Sequence, residues 1–260
     1  MTIVAEALPG FRRVEQIMAM PIVVDVRDDD VDEAALDHVF AWFRWVDAVF
    51  STYKEDSEIS RFARGELELA DACGEVRYVL DRCEQLREET RGFFDVQATG
   101  RLDPSGLVKG WSVDRAAELL RHAGIRNFAV SAAGDMCLSG RAVPELTWRV
   151  GIQHPLERLK VAAVVEANEL AIATSGAYAR GAHIVDPYSG RAPAGVLSVT
   201  VVGPELATAD AYATAAYAMG PDFGPPWTAR LRGYEAMTIL ANGTVLSTGG
   251  FPAVGERSVA

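Results

Sequence analysis

The hydrophobic period changes halfway along the chain. Between residues 36 and 86 apolar side chains recur every three or four positions, whereas beyond residue 125 they come in short β-branched runs broken by turns. In DEAALDHVFAWFRWVDAVF, the residues Leu36, Val39, Phe40, Phe43, Val46 and Phe50 share one face of an amphipathic helix. In DACGEVRYVLDRCEQLREETRG, Val76, Val79, Leu80, Cys83 and Leu86 do the same, and Gly92 is a stop signal. A third helical pattern runs from Val113 to His122 and ends at Gly124. The later segments NFAVSAAGDMCLSG, LTWRVGIQH, KVAAVVEANELAIATSG, AHIVDPYSG and GVLSVTVVGP read as strands, and EAMTILANGTVLSTGG as a hairpin turning at Asn242-Gly243. TADAYATAAYAMG reads as a short helix, EQIMAMPIVVDV (15–26) as one strand, and STYKEDSEISRFARGE as a polar loop. Helices first and strands later predict an α+β fold, with a largely antiparallel sheet and flanking helices, over a doubly wound α/β fold. Residues 15–250 are expected to form one domain between an N-terminal extension (1–14) and a C-terminal tail (251–260).

Composition narrows the function. With 260 residues, 49% of them hydrophobic, the chain can bury a sizeable core. A net charge of −11 lacks the basic footprint of a nucleic-acid binder. An anionic ligand would have to be met locally, by a metal ion, helix N-termini or a few basic residues. Cys73, Cys83 and Cys137 are odd in number and include no CxxC. Cys73 and Cys83 on one helix would lie about 15 Å apart, too far for a disulfide. Reduced thiols and a reducing compartment follow. MTIVAEALPGFRRVEQ has no signal-peptide core or lipobox, and no run reaches transmembrane length, so the expected location is cytoplasmic without stable membrane association.

Several short segments can carry chemistry. Asp210 and Thr214, four apart on a predicted helix, offer two hard oxygen ligands suited to Mg2+; a helix start capped by Thr208, with Asp210 opposing the dipole, accounts for the same residues. LDPSGLVKG offers the Asp103 carboxylate, the Lys109 cation and a Gly106 carbonyl, or an ordinary turn with Ser105 as a cap. His183 can serve as a general base or as a structural histidine. Thr174-Ser175-Gly176 can present hydroxyls and amides to a phosphate, but no GxSxG elbow is present. SAAGDM is not a dinucleotide-binding GxGxxG. Tyr53, in a polar loop, can stack on a flat ring or anchor the loop.

In this order, the segments MAMP (18–21), STYKEDSEISRF (51–62), FFD (93–95), LDPSGLVKGWSVD (102–114), TSG (174–176), HIVDPYSG (183–190) and ADAYATA (209–215) resemble the FAD:protein FMN transferase (ApbE) family, and WRVGIQHP (148–155) also fits. The resemblance covers roughly residues 15–250. It implies an ApbE-like fold with a T-fold-like core, FAD as substrate and Mg2+ as cofactor. It also implies transfer of FMN to a Thr or Ser hydroxyl of a target flavoprotein, within an Asp-x-x-Ser/Thr-Gly-Ala-Ser/Thr-like motif, with release of AMP. By the same resemblance Gly106, Asp210 and Thr214 hold the metal. Met18, Tyr53, Phe93, Phe94, Asp95, Asp103, Lys109 and Val185 meet the cofactor, and His183 and Asp210 take part in catalysis. The chain departs from the family pattern at MAM in place of Met-Gly-Thr, at Pro104-Ser105, at Val108, and in having only seven residues between Asp95 and Asp103. FAD hydrolysis to FMN and AMP, or a non-catalytic FAD carrier, are the alternatives that the same motifs allow.

Overall fold

The computed structural model describes residues 10–29, 31–157, 159–177 and 184–254. The chain opens with a hairpin, β1 (Phe11–Ile17) and β2 (Met20–Val26), paired from Phe11↔Val26 to Ile17↔Met20. The single strand expected over 15–26 is therefore two. Met18 and Ala19 form the two-residue turn with φ of 55° and 56°, the left-handed pair that a tight hairpin demands, here without glycine.

Three helices follow: α1 (Glu33–Phe50), α2 (Glu58–Ala63) and α3 (Gly74–Glu89). Asp32 caps α1 by accepting the Ala34 N–H at 2.9 Å, and Ser57 caps α2 through Ser60 N–H at 3.1 Å. The loop expected over 51–66 thus contains a short helix, and Cys73 sits at the N-cap of α3 outside the helix proper. α4 (Ser105–His122) leads into β3 (Phe128–Ala132), β4 (Asp135–Ser139), β5 (Trp148–Gln153), β6 (Val161–Ala167), β7 (Leu170–Gly176) and β8 (Val196–Gly203). The described part of AHIVDPYSG contributes only the isolated bridge Asp186↔Arg191 in place of a strand, because Pro187 and Gly190 lie within a turn closed by Gly190 N–H to Asp186 C=O. α5 (Leu206–Ala218) and α6 (Gly220–Thr228) precede β9 (Glu235–Leu240), β10 (Val245–Ser247) and β11 (Ala253–Val254).

Among the described residues the strands form two sheets. The larger has the order β1-β2-β3-β4-β7-β8-β9-β10, the smaller β11-β6-β5, and every pairing is antiparallel. One face of the large sheet carries α1, α4 and α5 on a core that includes Ile22, Val24, Phe40, Phe43, Leu120, Val130, Val199 and Val201. The other face meets the small sheet through Leu138, Ile172, Val202, Met237 and Ile239 against Trp148, Ile152 and Val165. A third cluster, with Val46, Phe50, Val76, Leu86, Leu107 and Trp111, ties α1, α3 and α4 together. The architecture is the α+β arrangement read from the sequence.

α5 is buried almost all round, and alanines at 209, 211, 213, 215, 216 and 218 are what allow it. Small side chains let α4, β7 and β8 approach the helix axis closely. Polar residues on such a helix face protein, not water, and Asp210 is only 2% exposed. No helix among the described residues is long and apolar enough to cross a membrane.

Candidate active site

Two helix beginnings and one strand end make the site. α3 ends at a turn in which Arg91 and Gly92 both have positive φ. Thr90 stabilises that turn: its hydroxyl donates to the Leu86 carbonyl at 2.7 Å and accepts the Phe94 N–H at 2.9 Å. Phe94 is thereby buried, with its ring against Gly106, where an added Cβ would come within 3.3 Å of it. Between them the chain is tied by Asp103 N–H to the Val96 carbonyl at 2.8 Å. The Asp103 carboxylate accepts the Ser105 N–H at 3.0 Å, so the aspartate, not Ser105, serves the first turn of α4.

α4 then crosses the start of α5 in close contact. A Cβ on Gly110 would lie 2.6 Å from the Leu206 carbonyl oxygen, so only glycine fits at the crossing. One turn further, Asp114 accepts the N–H groups of Leu206 and Ala207 at 2.9 and 2.8 Å. Thr208, a candidate cap from the sequence, lies inside α5 with its hydroxyl on Glu205 at 3.2 Å. The capping carboxylate comes from another helix.

This packing sets Gly106 and Lys109 of α4 beside Asp210 and Thr214 of α5, and β7 adds Thr174, Ser175 and Gly176 to the same cleft. Phe93, Phe94, Asp95, Asp103 and Val185 line it as well. Of the residues singled out from the sequence, these and Gly106, Lys109, Asp210 and Thr214 are brought together. Met18 and Tyr53 are not among the lining residues. Met18 sits in the β1–β2 turn, packed against two core clusters. Tyr53 is 96% exposed, because the 51–57 turn is held by the backbone and by Ser57 hydroxyl to the Ser51 carbonyl, without its ring. His183 lies outside the described residues.

The charges at the base of the cleft are buried. Lys109 Nζ pairs with the Asp135 carboxylate and lies 3.3 Å from Asp210 Oδ2. Asp135, 4% exposed, also accepts the Thr174 N–H at 2.8 Å, and Ser175 and Thr214 share a hydroxyl–hydroxyl bond of 3.2 Å. Among the described residues Lys109 thus faces two carboxylates, in a medium that screens charge poorly. Among the described residues no group of three or more His, Cys, Asp and Glu could hold a metal. The oxygen set of Asp210, Thr214 and the Gly106 carbonyl suits a hard cation that accepts hydroxyl, carbonyl and water ligands, not zinc.

Asp135 is the residue that sequence reasoning missed. Its only local mark is an acid placed directly after the tight Ala133-Gly134 turn, at φ of 52° and 101°. Tyr188 was also passed over. Its hydroxyl donates to the Arg91 carbonyl, and its ring meets Phe93 edge-on at 5.1 Å, joining the 184–190 turn to the cleft wall.

Comparison with known proteins places the chain in a family. The model of the ApbE family matches residues 18–100 and 97–238. A Vibrio cholerae protein named FAD:protein FMN transferase is 37% identical over 133 residues, which is 47% of this chain and 40% of that protein. The Escherichia coli K12 protein of the same name is 35% identical over 131 residues, 46% of this chain and 37% of its own. One from Treponema pallidum is 30% identical over 172 residues, 59% and 48% respectively. The chain thus spans less than half the length of these curated relatives. Among solved structures, the flavin transferase ApbE from Vibrio cholerae superposes with a TM-score of 0.85 at 22% identity, covering 94% of this chain and 99% of that one. The ApbE protein of Thermotoga maritima gives 0.84 at 19% identity, with 93% and 98% covered. At that identity the two structures speak for the fold.

Proposed function

The chain belongs to the ApbE family, and on that premise we propose that it transfers FMN from FAD to a Thr or Ser hydroxyl of a partner flavoprotein, releasing AMP. The observation that carries this reading is one cleft lined by two unlike kinds of residue, the aromatics Phe93 and Phe94 and the polar set Lys109, Asp210 and Thr214, with Gly106. A flat ring joined to a diphosphate suits that lining: an aromatic side chain can take the ring, and an ammonium beside hard oxygen donors the phosphates.

Mg2+ would be held by the Asp210 carboxylate, the Thr214 hydroxyl and the Gly106 carbonyl, and when bound would neutralise charge on the phosphoryl group in transfer. The chain's own residues do the rest. Lys109 offers a donor to a phosphate oxygen. Asp103 and Asp95 hold the 95–106 segment in place through their bonds to Ser105 and Gln97 N–H. The Ser175–Thr214 bond sets the Thr214 hydroxyl. In the reaction, the acceptor hydroxyl oxygen bonds to the FMN phosphorus, the bond from that phosphorus to the bridging oxygen breaks, and AMP leaves with the electron pair. The acceptor proton goes to a base, a role proposed for His183 from its place in HIVDPYSG. The nucleophile comes from the partner, so the cleft needs to orient and to stabilise charge, not to supply an attacking group.

The test is a denaturing gel. The chain is mixed with FAD, Mg2+ and a flavodomain bearing the acceptor motif, and flavin fluorescence on the partner band is read with and without EDTA. A fluorescent band lost with EDTA, and lost in a folded Asp210→Ala variant, is the expected result. AMP release with a dark band would make the protein an FAD hydrolase. Neither signal, with FAD bound, would make it a carrier.

A further inference from the structure

Asp135 is not part of any motif that identifies the family from this sequence, yet its carboxylate has two partners in the cleft, the Thr174 N–H and Lys109. It is the first residue of β4, on the sheet face that also carries Ala132 and Cys137 toward α4. The ladder pairs Met136↔Ile172 and Cys137↔Ala171. Continuing that register sets Thr174 opposite Gly134, where the chain has already turned away. The Asp135 side chain takes the Thr174 N–H that the ladder leaves over, at 2.8 Å. Its second oxygen meets Lys109 Nζ. The carboxylate is thus fixed by the sheet before it touches the lysine.

Lys109 has a second carboxylate nearby, Asp210, at 3.3 Å. The lysine side chain is 17% exposed and that of Asp210 3%, so water screens the pair little and either aspartate attracts the ammonium strongly. An ammonium drawn fully onto Asp210 would cover the oxygen that the proposed metal site needs. We infer that Asp135 is a positioning residue that takes the larger share of Lys109, whose ammonium also contacts Asp210, and so eases displacement of that ammonium from the Asp210 carboxylate by a divalent cation. The inference rests on the reading of Asp210 and Thr214 as a cation site, and it adds a residue and a competition that the reading does not contain.

The competition predicts coupling between two substitutions. With Mn2+ alone as the probe, binding to the full chain is followed by the loss of the free-ion electron paramagnetic resonance signal, without FAD or partner. Asp135→Asn keeps an oxygen for Thr174 but releases Lys109, and should raise the Mn2+ Kd about tenfold, a coupling typical of contacting charged groups. Lys109→Met removes the competitor and should tighten Mn2+ binding. In the Lys109→Met background, Asp135→Asn should change the Kd less than about threefold. Asp135 acting only through its own charge would weaken binding equally in both backgrounds, and that result overturns the inference, as does Lys109→Met that fails to tighten binding. A wild-type protein that takes up no Mn2+ overturns the cation site itself and the inference with it. Thermal melts of each variant show that the fold is retained, and the Lys109→Met measurement stands even if Asp135→Asn does not fold.

Discussion

Asp114 and Leu206 are 92 residues apart and joined by a 2.9 Å hydrogen bond from the Leu206 N–H to the Asp114 carboxylate. The same carboxylate takes the Ala207 N–H at 2.8 Å, while the residue at the N-cap position of α5, Glu205, makes no side-chain cap. α4 therefore terminates the helix that carries Asp210 one turn on and Thr214 two turns on. Both halves of the cleft base depend on this one contact and on the Gly110 crossing beside it.

Burial pushes the Asp114 carboxyl from 3.8 up to about 6, against the two N–H bonds that favour its ionised form; the charges of Glu205 and Glu118 push the same way. A raised folded-state value means that the native state holds its proton longer than the unfolded chain. The stabilisation this gives is complete below 3.8 and is lost as pH rises through about 6. The displacement corresponds to on the order of 3 kcal/mol. Urea unfolding of wild type and Asp114→Asn between these limits should show wild type losing stability relative to the variant as pH rises, with no further change above pH 7. A difference independent of pH would remove Asp114 from the profile.

Gly110→Ala tests the helix crossing. Alanine is the better helix former by about 1 kcal/mol in an open helix. Here its Cβ would fall 2.6 Å from the Leu206 carbonyl, which is backbone and cannot swing aside. The helices must separate, at a cost of about 1–3 kcal/mol. A lowered Tm and weaker flavin transfer are expected together, since Gly106 and Lys109 move with α4. A raised Tm would mean that the crossing is looser than the geometry requires.

Tyr188→Ala separates binding from chemistry. Tyr188 is 71% exposed, so its loss should cost less than about 1 kcal/mol of stability. It removes the bond to the Arg91 carbonyl and the edge contact with Phe93. Phe93 then loses its support at the cleft wall. KM for FAD should rise about fivefold with kcat little changed, the pattern of lost uniform binding. A fall in kcat at constant KM would instead make the 184–190 turn part of the chemical step.

Much of this was legible in the residues. The six apolar positions read as one face of α1, Leu36 through Phe50, are the ones buried. Of the five positions read as inward in α3, Val76, Val79, Cys83 and Leu86 are buried, and Leu80 is only partly so. The turns at Ala133-Gly134 and Asn242-Gly243 connect strands as read. Asp210 and Thr214, four apart, do face one cleft. Other elements carried no such mark. The Met18-Ala19 turn uses left-handed backbone on residues that rarely adopt it, so 15–26 read as one strand. α6 holds Pro225 and Pro226 inside a nine-residue helix, and prolines argue against a helix locally.

The amino-acid sequence by itself determined the long helices and most of the strands, the α+β class and, through seven motifs in register, the family resemblance, because hydrophobic period, turn chemistry and motif spacing are properties of neighbouring residues. The tertiary structure decided what those elements do to one another. It took Tyr53 out to solvent, brought Asp135 from a sheet strand to Lys109 on α4, and made Asp114 the cap of a helix that begins 92 residues away. Such contacts arise from burial. Once α5 is enclosed, its first N–H groups and its aspartate must find partners inside the protein, and which residue supplies them depends on packing across the chain.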